Sequence, residues 1–87
     1  MTDMKTEENY LGMIQICVLE LKKYQNEFNK EEINKDMEGY IEILNSKSEV
    51  NAFNFLKIKS EATKSGKPFK DNFEALAALK ATGLWVN

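Results

Sequence analysis

Five lysines within fourteen residues of the C-terminal half are the side chains whose type and spacing most directly point to chemistry. They are Lys57, Lys59, Lys64, Lys67 and Lys70, and Phe53, Phe55 and Phe69 lie near them in sequence. Lysines can neutralise nucleic-acid phosphates, and aromatic rings can stack on bases. The segment therefore raises nucleic-acid binding as a hypothesis. The opposing interpretation places the phenylalanines in the core and the lysines on the solvated side of a helix and loop.

The charge composition argues against making nucleic-acid binding the leading hypothesis. The chain has no arginine, the residue that contacts phosphates and guanine bidentately. Its formal net charge is −2, so a general attraction to nucleic acid is weak. The charge is also divided, because residues 1–49 contain six lysines and eleven acids, whereas residues 50–87 contain six lysines and three acids.

The chain contains few of the residue types that catalysis or metal binding usually needs. The chain has no histidine and a single cysteine, Cys17, which removes the usual zinc sites and the histidine-assisted nucleophiles. Gly66 and Lys67 match only the end of a phosphate-binding loop, since Glu61 stands where that motif needs glycine and Pro68 where it needs Ser or Thr. We therefore expect no enzyme activity, no cofactor, no metal and no small-molecule substrate.

The element that must organise the chain is the apolar stretch from residue 10 to residue 21. Nine of its twelve residues are apolar, so we expect a central core helix that the other segments cover on nearly every side. A strand is the alternative, because the stretch contains several β-branched residues. Cys17 is expected to be a buried small hydrophobe.

The remaining sequence predicts three further helices. Thr6 is the expected N-cap of the first helix, and apolar residues at helical spacing continue this helix to Phe28. Asn29 begins a capping box for the second helix. The third helix starts at Ser46 or Ser48, although residues 51–59 also alternate as a strand would. The last helix is expected over residues 69–82, with Pro68 in its first turn. Gly39, inside the second helix, is expected to mark a close contact between helices.

The fold class predicted is an all-α, single-domain bundle of three to four short helices around a hydrophobic first helix. Residues 1–87 form one helical domain, in which residues 1–5 are frayed and residues 84–87 form a docked C-terminal tail. The N-terminus is acidic and lacks a leading apolar run, so it is not a secretory signal, and we expect a cytoplasmic protein.

The apolar residues exceed what four short helices can bury, which predicts an exposed contact patch. The partner-binding residues expected there are Tyr24, Phe28, Phe53, Phe55 and Trp85. The leading hypothesis is a small, acidic, non-enzymatic protein that binds and modulates another macromolecule, such as a phage or mobile-element inhibitor of a host protein. The alternatives are nucleic-acid binding through the five lysines and a structural homo-oligomer formed through the first helix. No membrane contact is expected. An acidic surface on the second helix is a further candidate for a basic protein partner.

Overall fold

The structure, a computed structural model, describes residues 9–87, which form four α-helices and no strand. The helices are α1 (Tyr10–Tyr24), α2 (Lys30–Ser46), α3 (Glu49–Lys64) and α4 (Asn72–Ala81). The predicted small all-α bundle is confirmed. The frayed segment 1–5 and the expected N-cap Thr6 lie outside the described residues.

Side-chain caps fix the starts of the first three helices. Asn9 caps α1 by accepting a hydrogen bond from the backbone N–H of Gly12, so α1 begins later than a Thr6 cap would allow. Asn29 caps α2 and Ser48 caps α3, as expected from the sequence. The prediction that α1 continues to Phe28 is wrong, because the helix ends at Tyr24 and a turn follows.

Residues 51–59 are helical, which resolves the ambiguity between helix and strand in this segment. The Ser48 hydroxyl accepts from the N–H of Asn51 at 3.1 Å, and this starts the helix locally. Within the described residues there is also no strand with which this segment could pair.

Helix α4 begins at Asn72, and the predicted start at Phe69 is wrong. The Asp71 side chain accepts from the N–H of Glu74 at 2.8 Å, while the Glu74 carboxylate accepts from the N–H of Lys70 at 2.6 Å. This reciprocal arrangement resembles a capping box, and it sets the helix start after the loop that contains Pro68.

The core lies where all four helices meet. Its buried members are Ile14, Val18, Tyr40, Ile43, Ala52, Phe55, Ala75, Leu76 and Leu79. Helices α2 and α3 each pack against all three other helices, whereas α1 packs mainly against α2 and α3. The middle of the bundle is therefore formed by α2 and α3.

The expectation that α1 is covered on nearly every side is wrong. Ile14 and Val18 are buried against the bundle, but within residues 9–87 no element covers the opposite face of the helix, where Met13, Ile16 and Leu19 are exposed. Two neighbouring helices cover only part of the circumference of a third, so the side chains on the far side of α1 stay in contact with solvent. Cys17 is only partly buried, which corrects the prediction of a buried thiol.

Gly39 marks a close contact between helices, as predicted. A Cβ atom built on Gly39 would lie 2.5 Å from the backbone oxygen of Asn72. The Asp36 carboxylate, one turn earlier on α2, accepts from the N–H of Asn72 at 2.9 Å. The start of α4 is therefore held directly against the backbone of α2.

The C-terminal tail lies against the body of the protein. Trp85 packs against the core, and the Lys80 ammonium lies 5.0 Å from the centre of its ring. Lys80 also forms an ion pair with Glu42 of α2. Among residues 9–87, no helix combines the length and the apolar character needed to cross a membrane.

Candidate interaction surface

The main exposed feature is a row of apolar side chains on the uncovered face of α1. Met13, Ile16 and Leu19 keep 48%, 61% and 53% of their surface exposed. They follow one another at intervals of three residues, which places them side by side along the helix. We call these three residues the α1 band. Large apolar side chains grouped on one face commonly mark an interaction site.

The N-terminal end of α1 is fixed by a residue from another helix. The Glu49 carboxylate at the start of α3 accepts from the N–H of Tyr10 at 2.7 Å and from that of Leu11 at 3.4 Å. Tyr10 also meets Phe53 of α3 edge-to-face, with ring centres 5.2 Å apart. These contacts hold α1 in position, so the α1 band is displayed on an anchored helix.

A cleft of about 490 Å³ borders the α1 band. Its apolar walls come from Ile16 and Leu21 of α1, Tyr40 of α2 and Phe69 of the loop before α4. Because Ile16 belongs both to the band and to the cleft, the two features form one continuous surface. The cleft has the size of a site that can receive a large side chain or a small ligand.

Lys59 lies on the wall of this cleft, so it does not belong to an outward-facing basic patch. Its ammonium group donates a hydrogen bond to the Tyr40 hydroxyl at 3.0 Å. The same group lies 5.0 Å from the ring centre of Tyr40 and 5.3 Å from that of Phe55. The cleft also contains carboxylates, including those of Asp36 and Asp71, so its charge is mixed.

The other four lysines of the predicted basic segment are exposed. Lys57 and Lys64 share one face of α3, being seven residues apart, while Lys67 and Lys70 lie in the loop that follows. In the part of the chain that the structure describes, none of the four forms an ion pair with a carboxylate. The predicted patch is therefore reduced by one member.

The aromatic residues predicted to contact a partner do not form one patch. Tyr24 and Phe28 are exposed and meet edge-to-face at the end of α1, with ring centres 5.5 Å apart. Phe53 is 43% exposed, and Trp85 is partly buried against the core. The surface placement of Phe55 is wrong, because its side chain is completely buried and meets the Tyr40 ring edge-to-face.

Some of the acidic side chains on α2 form contacts within the protein and are not available to a partner. Glu31, Glu32 and Glu38 of α2 are exposed, as is Glu27 in the turn before it, whereas Asp36 accepts a hydrogen bond from Asn72 and Glu42 pairs with Lys80. The acids on this face therefore help to hold the bundle together as well as facing solvent.

The α1 band lies within the stretch 10–21, which the sequence predicts to be core on nearly every side, so the band is not predicted as a contact surface. The signal was the width of the apolar stripe, which is broader than two neighbouring helices can cover. Comparison with known proteins gives no match of this chain to a family model, to a curated protein sequence or to a solved structure.

Proposed function

We propose that this protein is a non-enzymatic interaction module that works by protein–protein contact through the α1 band and the adjoining cleft. The observation that carries the proposal is the exposure of about half of each of Met13, Ile16 and Leu19 on an anchored helix. The prediction of a cytoplasmic phage or mobile-element protein rests on size and composition alone.

The energetics of the α1 band support a contact surface. Burying a complete side chain of this size contributes about 1.5–3 kcal/mol, so covering the exposed half of each contributes roughly 1 kcal/mol. Three such side chains give about 3 kcal/mol before the cleft is filled. A partner that also inserts a side chain beside Ile16 and Phe69 would gain a further apolar contact.

The proposal is tested with one substitution in the α1 band and a matched substitution elsewhere. Leu19→Glu places a charge in the band, whereas Leu84→Glu makes the same change at a residue that is 44% exposed in the C-terminal tail. Helix α4, which precedes the tail, makes only a minor contact with α1. Both variants are expected to fold, because neither leucine belongs to the buried core and each is about half exposed.

We expect the wild-type protein and Leu84→Glu to bind the same protein in affinity capture, with Leu19→Glu losing it. The captured protein is then purified, and its binding to the three chains is measured by calorimetry. Equal affinity of the wild type, Leu84→Glu and Leu19→Glu for the captured protein would contradict the proposal.

Nucleic-acid binding remains the second candidate, supported by the four exposed lysines that lack carboxylate partners among residues 9–87. Its test is fluorescence anisotropy of labelled duplex and single-stranded DNA at two salt concentrations. Phosphate contacts would give a log–log slope of about −0.9 per neutralised duplex phosphate. Replacing Lys57, Lys64, Lys67 and Lys70 by Gln should then remove the binding, and retained affinity would contradict this candidate.

A further inference from the structure

We propose that the cleft beside the α1 band binds a small monocarboxylic acid with an apolar body, and that Lys59 and Tyr40 hold its carboxylate. The inference goes beyond the proposed function, because it gives the cleft a small-molecule ligand in addition to contact with another protein.

The Lys59 ammonium and the Tyr40 hydroxyl form a pair of hydrogen-bond donors that lacks an acceptor among residues 9–87. The ammonium has three protons and donates one of them to the hydroxyl oxygen at 3.0 Å. The proton of the hydroxyl has no acceptor in the described chain, and Lys59 has no carboxylate within ion-pair distance there. Tyr40 is only 7% exposed, and Lys59 is partly buried. Donors in such positions are stabilised by an acceptor, and both residues line the cleft.

A carboxylate matches this pair of donors. Its two oxygens accept hydrogen bonds, and when ionised it has no donor of its own. One oxygen can accept from the Lys59 ammonium while the other accepts from the Tyr40 hydroxyl, because these two groups are hydrogen-bonded neighbours. Both bonds are charge-assisted, and such bonds are about twice as strong as neutral ones. An alcohol of the same shape offers one uncharged oxygen and should bind more weakly.

Two of the three carboxylates that line the cleft already accept hydrogen bonds from the backbone. Asp36 accepts from the N–H of Asn72 at 2.9 Å, and Asp71 accepts from that of Glu74 at 2.8 Å. Both accept from the first turn of α4, where the helix dipole stabilises negative charge. Neither forms an ion pair with Lys59, so the ammonium remains free for a ligand.

The remaining charged groups of the cleft limit the charge of the ligand. The third carboxylate, that of Glu20, is exposed and lies 3.4 Å from the ammonium of Lys23. Lys70 is also exposed and adds a second positive charge to the lining. Repulsion from the three carboxylates rises with the negative charge of the ligand. The cleft therefore favours a single carboxylate over a phosphate group, which carries about −1.5 to −2 at neutral pH.

The walls of the cleft can cover an apolar body. Ile16 and Leu21 contribute from α1, and Phe69 contributes from the loop before α4. The volume of about 490 Å³ lies within the range of small-molecule sites. Each CH₂ group buried there should tighten binding about fourfold. Octanoate, an unbranched aliphatic acid, is therefore a suitable probe.

The test is a titration of the isotope-labelled protein with octanoate, octanol and octylammonium at neutral pH, followed by amide NMR spectra. The amide signals of Cys17, Lys59 and Phe69 should shift with octanoate, whereas that of Val86, which does not line the cleft, should not. Octanoate should bind about tenfold more tightly than octanol, and more tightly than octylammonium. Unshifted cleft signals, equal affinity for octanoate and octanol, or tighter binding of octylammonium would each overturn the inference.

Two substitutions test the donors separately. Lys59→Met keeps an unbranched side chain but removes the ammonium, so its affinity for octanoate should fall to its affinity for octanol. Tyr40→Phe removes only the hydroxyl and should weaken octanoate binding about tenfold. Wild-type affinity for octanoate in either variant would overturn the role of that residue, and Tyr40→Phe decides alone if circular dichroism shows that Lys59→Met is unfolded.

Lys30→Met is the matched control for the loss of one positive charge. Lys30 is exposed at the start of α2 and does not line the cleft. This variant should bind octanoate as the wild type does. Equal losses of affinity in Lys30→Met and Lys59→Met would show a general effect of net charge and overturn the assignment.

Failure of this inference can be told from failure of the proposed function. If octanoate does not bind while Leu19→Glu loses protein capture, the small-molecule ligand is overturned and the α1 band stands as a contact surface. If octanoate binds as expected while Leu19→Glu keeps protein capture, the proposed function is overturned and the ligand site stands.

Discussion

The side-chain amide of Asn51 holds the backbone of Val86 by two hydrogen bonds that span 35 residues of sequence. The amide nitrogen donates to the Val86 carbonyl oxygen at 2.9 Å, and the amide oxygen accepts from the Val86 N–H at 2.8 Å. The same nitrogen donates to the Ser46 hydroxyl at 3.1 Å. Asn51 is completely buried, so it fastens the C-terminal tail beside the junction of α2 and α3.

Asn51→Ala should release the tail and lower the free energy of unfolding by roughly 3 kcal/mol, because three hydrogen bonds of about 1 kcal/mol each are lost. Trp85 is the only tryptophan, so its emission should shift to the red as it leaves the core. Urea unfolding followed by this fluorescence gives both quantities. Asn54→Ala is the control, since its side chain forms no hydrogen bond within residues 9–87. An equal loss of unfolding free energy in both variants would contradict the role of Asn51 in holding the tail.

Glu49→Ala should destabilise the N-terminal end of α1, because its carboxylate accepts from the N–H groups of Tyr10 and Leu11. Losing a charged cap of this kind costs about 1 kcal/mol. Thermal unfolding followed by circular dichroism measures the change. Glu61→Ala removes an exposed carboxylate from the same helix and should have a smaller effect; if the two variants melt alike, the cap contributes nothing.

Gly39→Ala should lower stability even though alanine is about 1 kcal/mol better than glycine inside a helix. The new Cβ would lie 2.5 Å from the backbone oxygen of Asn72, and backbone cannot move as easily as a flexible side chain. We expect a net loss of about 1–3 kcal/mol in denaturant unfolding. Glu38→Ala is the control at the neighbouring exposed position. A stabilised Gly39→Ala variant would show that α4 does not press against α2.

Phe55→Ala should cost about 3–5 kcal/mol, because it empties a fully buried site next to Tyr40. Phe53→Ala should cost about 1 kcal/mol, since that ring is 43% exposed and loses mainly its edge contact with Tyr10. Chemical unfolding of the two variants measures the difference. The reverse order would mean that α3 is rotated from the orientation described.

Much of the fold could be predicted from local signals. Asn29 and Ser48 were expected to cap their helices because a cap depends on one side chain and the backbone two or three residues later. The start of α4 has an equally local signal in Asp71 and Glu74, although Pro68 by itself favours a start at Phe69. The candidate surface was harder to predict, because exposure depends on neighbours that are distant in sequence.

The sequence by itself determined an all-α bundle of three to four helices, a close helix contact at Gly39 and the absence of histidine chemistry, since the chain has no histidine. It left residues 51–59 open between helix and strand. Only the tertiary structure decided which sides of those helices are covered. Phe53 and Phe55 are equally apolar, yet one is exposed and the other buried, since the packing of α3 on α2 and α4 selects the face. The same selection leaves Met13, Ile16 and Leu19 exposed, because among residues 9–87 α1 packs closely only against α2 and α3.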